Sequence, residues 1–156
     1  IKKLCYFSGY ENGLRNKTAL SYLAFVFAIE TAMRLGEIAK LRRKDIVGKT
    51  ALLELTKNGT SRKVPLSSRA IEILDNLPTD NLFDMRPDVM STLFRKVRDR
   101  AALFDLHFHD SRHEAITRLS KHRTIYQLAR IAGILDLKIL MVYYNETAEE
   151  IAELLD

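Results

Sequence analysis

Residues 45–66 interrupt a chain that is otherwise patterned as helix, and this interruption limits the folds open to it. Asp45-Ile46-Val47, residues 50–56 and residues 61–66 read as three β-prone runs, with Lys57-Asn58-Gly59 between the last two. Asn and Gly tolerate positive φ, so Asn58-Gly59 predicts a hairpin turn with Lys57 at its tip. Pro65 cannot donate to a ladder, which puts the third strand at an edge or at its end.

Everything else reads as helix. Residues 2–7 are stopped by Ser8-Gly9, and Asn16 caps a long apolar helix over 17–33. A short helix over 35–41 follows, with Arg34 and Glu37 at a buried junction between the two. Beyond the strands, Ser67 or Ser68 opens a helix to about 77, and Pro87 sits in the first turn of one reaching about 103. Helical patterning continues over 109–121, over 124–132 closed by Gly133, and over 136–144. Thr147 and Glu150 form a capping-box pattern before a last amphipathic helix to 156. The fold class is therefore α+β, mainly α-helical with a small three-stranded antiparallel sheet. At 156 residues the chain is one domain, and it opens on Ile1 as a fragment with its upstream region missing would.

Charge is distributed unevenly. The net charge is +5, and residues 34–63 carry nine Lys or Arg against Glu37, Asp45 and Glu54. From Asn145 onward there are five acids and no Lys or Arg. A basic body with an acidic tail fits a body facing nucleic acid and a tail docked on protein. The single Cys5 excludes an internal disulfide and fits a reducing cytoplasm. No apolar run approaches the roughly 18 residues that span a bilayer, and no signal peptide is visible.

Five side chains point to chemistry: Arg34, Lys57, His109, Arg112 and Tyr143. Two guanidiniums clamp an anion, a phenol attacks it, and an ammonium protonates what leaves. That set breaks a phosphodiester without a metal. His109 and Arg112 stand three apart and share a helix face, while Asp110 points elsewhere, to anchor backbone or another cation. A metal site is not indicated, because His109 and His113 lack a general-base Glu and a third ligand at zincin spacing. Taken singly, each pattern has a plainer reading: an Arg34–Glu37 ion pair, a solvated turn lysine, a core pair Tyr143-Tyr144.

Their order changes this. Thr31-Ala-Met-Arg34-Leu-Gly-Glu37, Lys57-Asn-Gly-Thr-Ser-Arg-Lys-Val-Pro65-Leu, His109-Asp-Ser-Arg112-His113, and Gly133 with Tyr143 ten residues on follow in sequence. Over roughly residues 18–147 the chain resembles the catalytic domain of the tyrosine recombinases, the phage-type integrase family. The resemblance implies that Arg34 and Arg112 clamp the scissile phosphate and that Tyr143, next to Tyr144, is the nucleophile. Lys57 would protonate the departing 5′-oxygen. His109 would either accept the phenolic proton or bond a non-bridging oxygen, with His113 and Glu37 in support. A tyrosine hydroxyl has a reference pKa of about 10, so phenolate at neutral pH costs roughly 4 kcal/mol, which the arginines would lower.

The product would be a 3′-phosphotyrosine, allowing strand exchange with no cofactor, metal or ATP. Double-stranded DNA is the implied partner, bound by tetrameric protomers that exchange the helix over 147–156, below an N-terminal DNA-binding domain. One departure stands out. The residue after the last Gly is usually His or Trp in this family, but here it is Ile134, which donates nothing. Either Lys138 or His113 substitutes, or cleavage is slow. Two other readings remain: a type IB topoisomerase, whose box resembles Lys-x-x-Arg rather than His109-x-x-Arg112, and a non-catalytic DNA-binding relative. A helix-turn-helix repressor would leave Lys57 and its hairpin without a role.

Overall fold

The computed structural model describes residues 1–14, 16–54, 61–153 and 155. Its centre is helix α2 (Lys17–Thr31), apolar on nearly every face and buried from Tyr22 to Phe25 and from Phe27 to Ile29. A helix of that kind belongs inside a protein. It is surrounded by α1 (Lys2–Ser8), α4 (Ser68–Asp75), α5 (Pro87–Arg100) and α6 (Asp110–Ser120). Asn16 Oδ1 accepts from the Ala19 amide at 2.8 Å, which starts α2 as its sequence suggested.

The helix ends two residues sooner than its apolar pattern. Ala32 turns left-handed (φ 56°), and its amide closes on the Ala28 carbonyl. The Thr31 hydroxyl donates to Phe27 O and accepts from the Met33 amide, supporting a conformation that alanine rarely adopts. Helix α3 (Leu35–Ile38) is likewise shorter than its pattern, because Lys40 and Leu41 continue with i→i−3 bonds.

The sheet has the order β1 (Ile46–Val47), β2 (Thr50–Leu53), β3 (Arg62–Pro65), all antiparallel. Ala51 faces Val64 and Leu53 faces Arg62, so Ala51, Leu53 and Val64 reach the core while Leu52 and Lys63 face out. Pro65 ends an edge strand, as its missing N–H requires. The turn expected at Asn58-Gly59, with Lys57 at its tip and strand reaching Thr56, lies outside the described residues.

The last third of the chain builds a second, smaller core of Ala32, Ala115, Ile116, Leu128, Ala132 and Leu140. It lies between α6, α7 (Ile125–Ala132) and α8 (Lys138–Met141). Helix α8 covers less than the 136–144 of its sequence pattern, because Ile139, Tyr143 and Tyr144 close i→i−3 bonds around it. Helix α9 (Ala148–Ala152) has the expected capping box, yet buries none of its residues, and Ile151 and Leu155 stay exposed. Among the described residues no helix is long and apolar enough to cross a membrane.

Phe25 stacks on Phe94 with ring centroids 4.4 Å apart, and Phe108 stands edge-on to both. Phe94→Ala should therefore destabilise the domain by about 3–5 kcal/mol in urea unfolding. Ile151→Ala should change stability by less than about 0.5 kcal/mol.

Candidate active site

The site is built on the C-terminal end of α7. The Thr124 hydroxyl accepts from the Gln127 amide and Gln127 answers on the Thr124 amide, so the helix starts cleanly. Leu128 and Ala132 anchor it in the smaller core, and Gly133 (φ 63°) ends it by donating to Ala129 O. The last carbonyls of a helix have no partner within it. Here three consecutive ones take guanidiniums. Ile131 O accepts from Arg62 Nε at 3.4 Å, Ala132 O from Arg112 Nη2 at 2.7 Å, and Gly133 O from Arg34 Nη2 at 3.4 Å.

Arg112 is the buried member, 5% exposed. Its Nη1 donates to Ala32 O, the carbonyl that the left-handed turn after α2 aims inward. Burial first, then repulsion from Arg34 and Arg62, pushes its pKa down to about 10, against the pull of Glu37 and Tyr143. A cation held under that pressure is relieved by an anion. Asp110 anchors backbone, accepting the His107 amide at 2.6 Å, which sets the start of α6.

Arg34 corrects the expectation of a buried junction. Its side chain is 47% exposed, so its guanidinium faces the surface of the same helix end that Arg112 reaches from within. Glu37 binds the Arg34 amide at 2.7 Å and Arg34 Nη1 at 3.3 Å, but its main partner is Arg62. Arg62 Nη1 and Nη2 grip the carboxylate at 2.5 and 3.0 Å. Burial alone would raise the Glu37 pKa; the Arg62 bonds, helped by the Arg34 amide, bring it below the ordinary carboxylate value. Sequence reasoning passed over Arg62, although the signal was present. Period two puts Arg62 on the same strand face as buried Val64, and an inward arginine needs a carboxylate.

Tyr143 packs against the smaller core and contributes to the potential at Arg112. Its hydroxyl lies 3.0 Å from His113 Nδ1, whereas the Tyr144 hydroxyl donates to Arg123 O at 2.7 Å. The two adjacent tyrosines are thus committed to different partners. His109 stands edge-on to His113, ring centroids 4.9 Å apart, and burial followed by the charges of His113 and Arg112 lowers its pKa. Ile134 donates its amide to Ala129 O and leaves an aliphatic side chain on the wall beside Gly133. Lys138 is exposed and its amide donates to Asp136 Oδ1. Of the residues singled out in the sequence, Lys57 lies outside the described set; the others gather around the ends of α6, α7 and α8. No group of three or more His, Cys, Asp or Glu among the described residues is placed to hold a metal.

In front of Arg34, Arg62 and Gly133 runs an open cleft of about 2400 Å³. Its described lining includes nine Lys or Arg side chains, Lys40, Arg42 and Arg130 among them, and four Asp or Glu. A cleft whose lining carries an excess of positive charge concentrates polyanions.

Two outcomes follow from this packing. A Cβ on residue 133 would sit 2.8 Å from Arg62 Cζ at a positive φ, so Gly133→Ala should dislodge Arg62. Its cost should be about 1–3 kcal/mol alone and clearly less beside Arg62→Ala, in a double-mutant cycle followed by urea unfolding. Glu37, with a lowered folded pKa, stabilises above the unfolded carboxylate value, and that contribution is lost as pH falls through the folded one. Glu37→Gln should cost about 2–4 kcal/mol at neutral pH, and the gap to the parent should narrow below about pH 4.

Residues 2–150 match the Phage integrase family. A putative integrase/recombinase of Haemophilus influenzae is 43% identical over the whole of this chain and 54% of its own length. The chain thus spans about half the length of that curated relative. Among solved structures, XerH site-specific recombinase bound to its difH substrate superposes with a TM-score of 0.73 at 19% identity, covering 99% of this chain and 51% of that one. The catalytic domain of bacteriophage HP1 integrase superposes with a TM-score of 0.71 at 20% identity, covering 99% of this chain and 90% of that one. A mainly helical chain with one small three-stranded antiparallel sheet is thus the fold of an integrase catalytic domain, and the chain belongs to the phage integrase family.

Proposed function

We propose that this domain cleaves and rejoins DNA strands in site-specific recombination, with Tyr143 as the nucleophile. The observation that carries the reading is the convergence of Arg34 and Arg112 on one helix end, with Tyr143 beside Arg112. Three guanidiniums meet one carboxylate and a helix C-terminus worth roughly −0.5 charge, which leaves an excess suited to a phosphodiester. The basic cleft supports duplex DNA as the substrate.

In this mechanism the phosphate of one strand binds between Arg34 and Arg112. Tyr143 Oη gives up its proton and forms a bond to phosphorus as the bond to the 5′-oxygen breaks. Lys57 supplies the proton that the 5′-oxygen takes. The guanidiniums stabilise the charge gathered on the non-bridging oxygens in between, where preorganised donors are most effective. The 3′-phosphotyrosine keeps the phosphodiester energy, so attack by another 5′-hydroxyl reseals DNA and restores the tyrosine. Site choice, tetrameric assembly on DNA and the exchange of α9 between protomers belong to this proposal as well. The exposed Ile151 supports the last of these, since the apolar face of α9 is uncovered within the protomer.

A nicked suicide duplex, which loses its short leaving strand, tests the reading by trapping the covalent adduct on a denaturing gel. The full chain should form it, Tyr143→Phe should not, and Tyr144→Phe should. An unreactive but DNA-binding parent would leave only a binding module, and relaxation of supercoiled plasmid without recombination would favour a topoisomerase. Ile134→His should accelerate adduct formation by about 10-fold to 100-fold, by restoring a donor beside the phosphate.

A further inference from the structure

The first step of cleavage needs an acceptor for the phenolic proton, and the two histidines of α6 are not equivalent candidates. His113 Nδ1 stands 3.0 Å from Tyr143 Oη, within direct proton-transfer distance. His109 makes no hydrogen bond to Tyr143 among the described residues; its ring meets that of His113 at 85°. We propose that His113, rather than His109, takes the Tyr143 proton when the tyrosine attacks, a step that rests on the phosphotyrosine reading above.

The backbone explains why this contact is built in. Leu140, fully buried, pins α8 to the smaller core, and the Tyr143 amide closes on the Leu140 carbonyl. That fixes the start of the tyrosine side chain. On α6, Arg112 turns inward to the Ala32 and Ala132 carbonyls, and its neighbour His113 therefore emerges on the side facing the end of α8. One helical turn thus presents a phosphate-binding cation and an imidazole to the same reaction.

For Nδ1 to accept, the imidazole must carry its hydrogen on Nε2, and His113 is exposed, so Nε2–H points to water without a desolvation cost. As Oη bonds to phosphorus, the O–H bond breaks and its proton passes to Nδ1, leaving an imidazolium. Religation runs this backwards: the imidazolium returns the proton to the departing phenolate. His109, whose pKa is lowered by burial and then by His113 and Arg112, stays neutral and is left to donate to the phosphate.

The test follows adduct formation on the suicide duplex in single-turnover conditions, with DNA affinity measured alongside. His113→Ala should bind DNA within about twofold of the parent and form adduct about 100-fold more slowly. His113→Asn, which can hold the hydroxyl but cannot take its proton, should be equally slow. A fluorinated tyrosine at position 143, whose hydroxyl ionises far more readily, should restore most of the rate of His113→Ala. A 5′-bridging sulfur, which leaves without a proton, should not restore it. If the parent forms adduct while His113→Ala keeps its rate, or the fluorinated tyrosine rescues His109→Ala instead, the assignment to His113 is wrong. If the sulfur leaving group rescues His113→Ala, the imidazole serves the leaving oxygen. If the parent forms no adduct at all, the phosphotyrosine reading fails and this assignment with it.

Discussion

Three arginines on three different elements end on three consecutive carbonyls at the C-terminus of α7. Those carbonyls would be orphans in any helix, and the negative end of the helix dipole draws cations to them. Most of the site can be derived from that single attraction. It docks strand β3 through Arg62, helix α6 through Arg112, and the junction before α3 through Arg34. The carbonyl of Ala32, at the end of α2, holds Arg112 from the other side. Two helix termini thus grip one buried guanidinium between them.

Gathering three like charges is costly, and the structure offsets it locally. Glu37 takes a two-point grip from Arg62 and still binds both the amide and the side chain of Arg34. Arg62 is largely neutralised by this arrangement and acts as a brace between the sheet and α7. Arg112 has no carboxylate partner among the described residues, and burial, then repulsion from Arg34, depresses its pKa. Two backbone kinks make room for the arginines: the left-handed Ala32 aims a carbonyl inward, and Gly133 lets Arg62 approach closer than any Cβ would allow. An anion would complete a site that is assembled short of one.

How much of this the sequence disclosed depends on range. Signals carried by local chemistry were legible: Asn16, Ser67, the Thr147–Glu150 box, Pro87 and Gly133 all stand where that chemistry puts them. The antiparallel sheet and its edge proline were legible for the same reason. What escaped was set by contacts distant in sequence. Ala32 ends α2 early because its carbonyl serves an arginine 80 positions away. Arg62 went unnoticed because its carboxylate lies 25 residues upstream, and Arg34 was expected to be buried because that pairing was unseen. His113, placed in support, makes the only hydrogen bond to the Tyr143 hydroxyl among the described residues. An i, i+4 spacing cannot say which imidazole meets a tyrosine on another helix.

In the proposed reaction Arg34 and its buried neighbour neutralise the non-bridging oxygens of one phosphate beside Tyr143. Arg34 is the member to remove, since it is exposed and its loss leaves the Arg112 and Arg62 anchors in place. The decisive measurement is the adduct-formation rate of Arg34→Ala on a normal duplex and on one whose scissile phosphate is a neutral methylphosphonate. The variant should be nearly inactive on the charged phosphate and substantially restored on the neutral one. Equal failure on both substrates, with DNA binding intact, would contradict this.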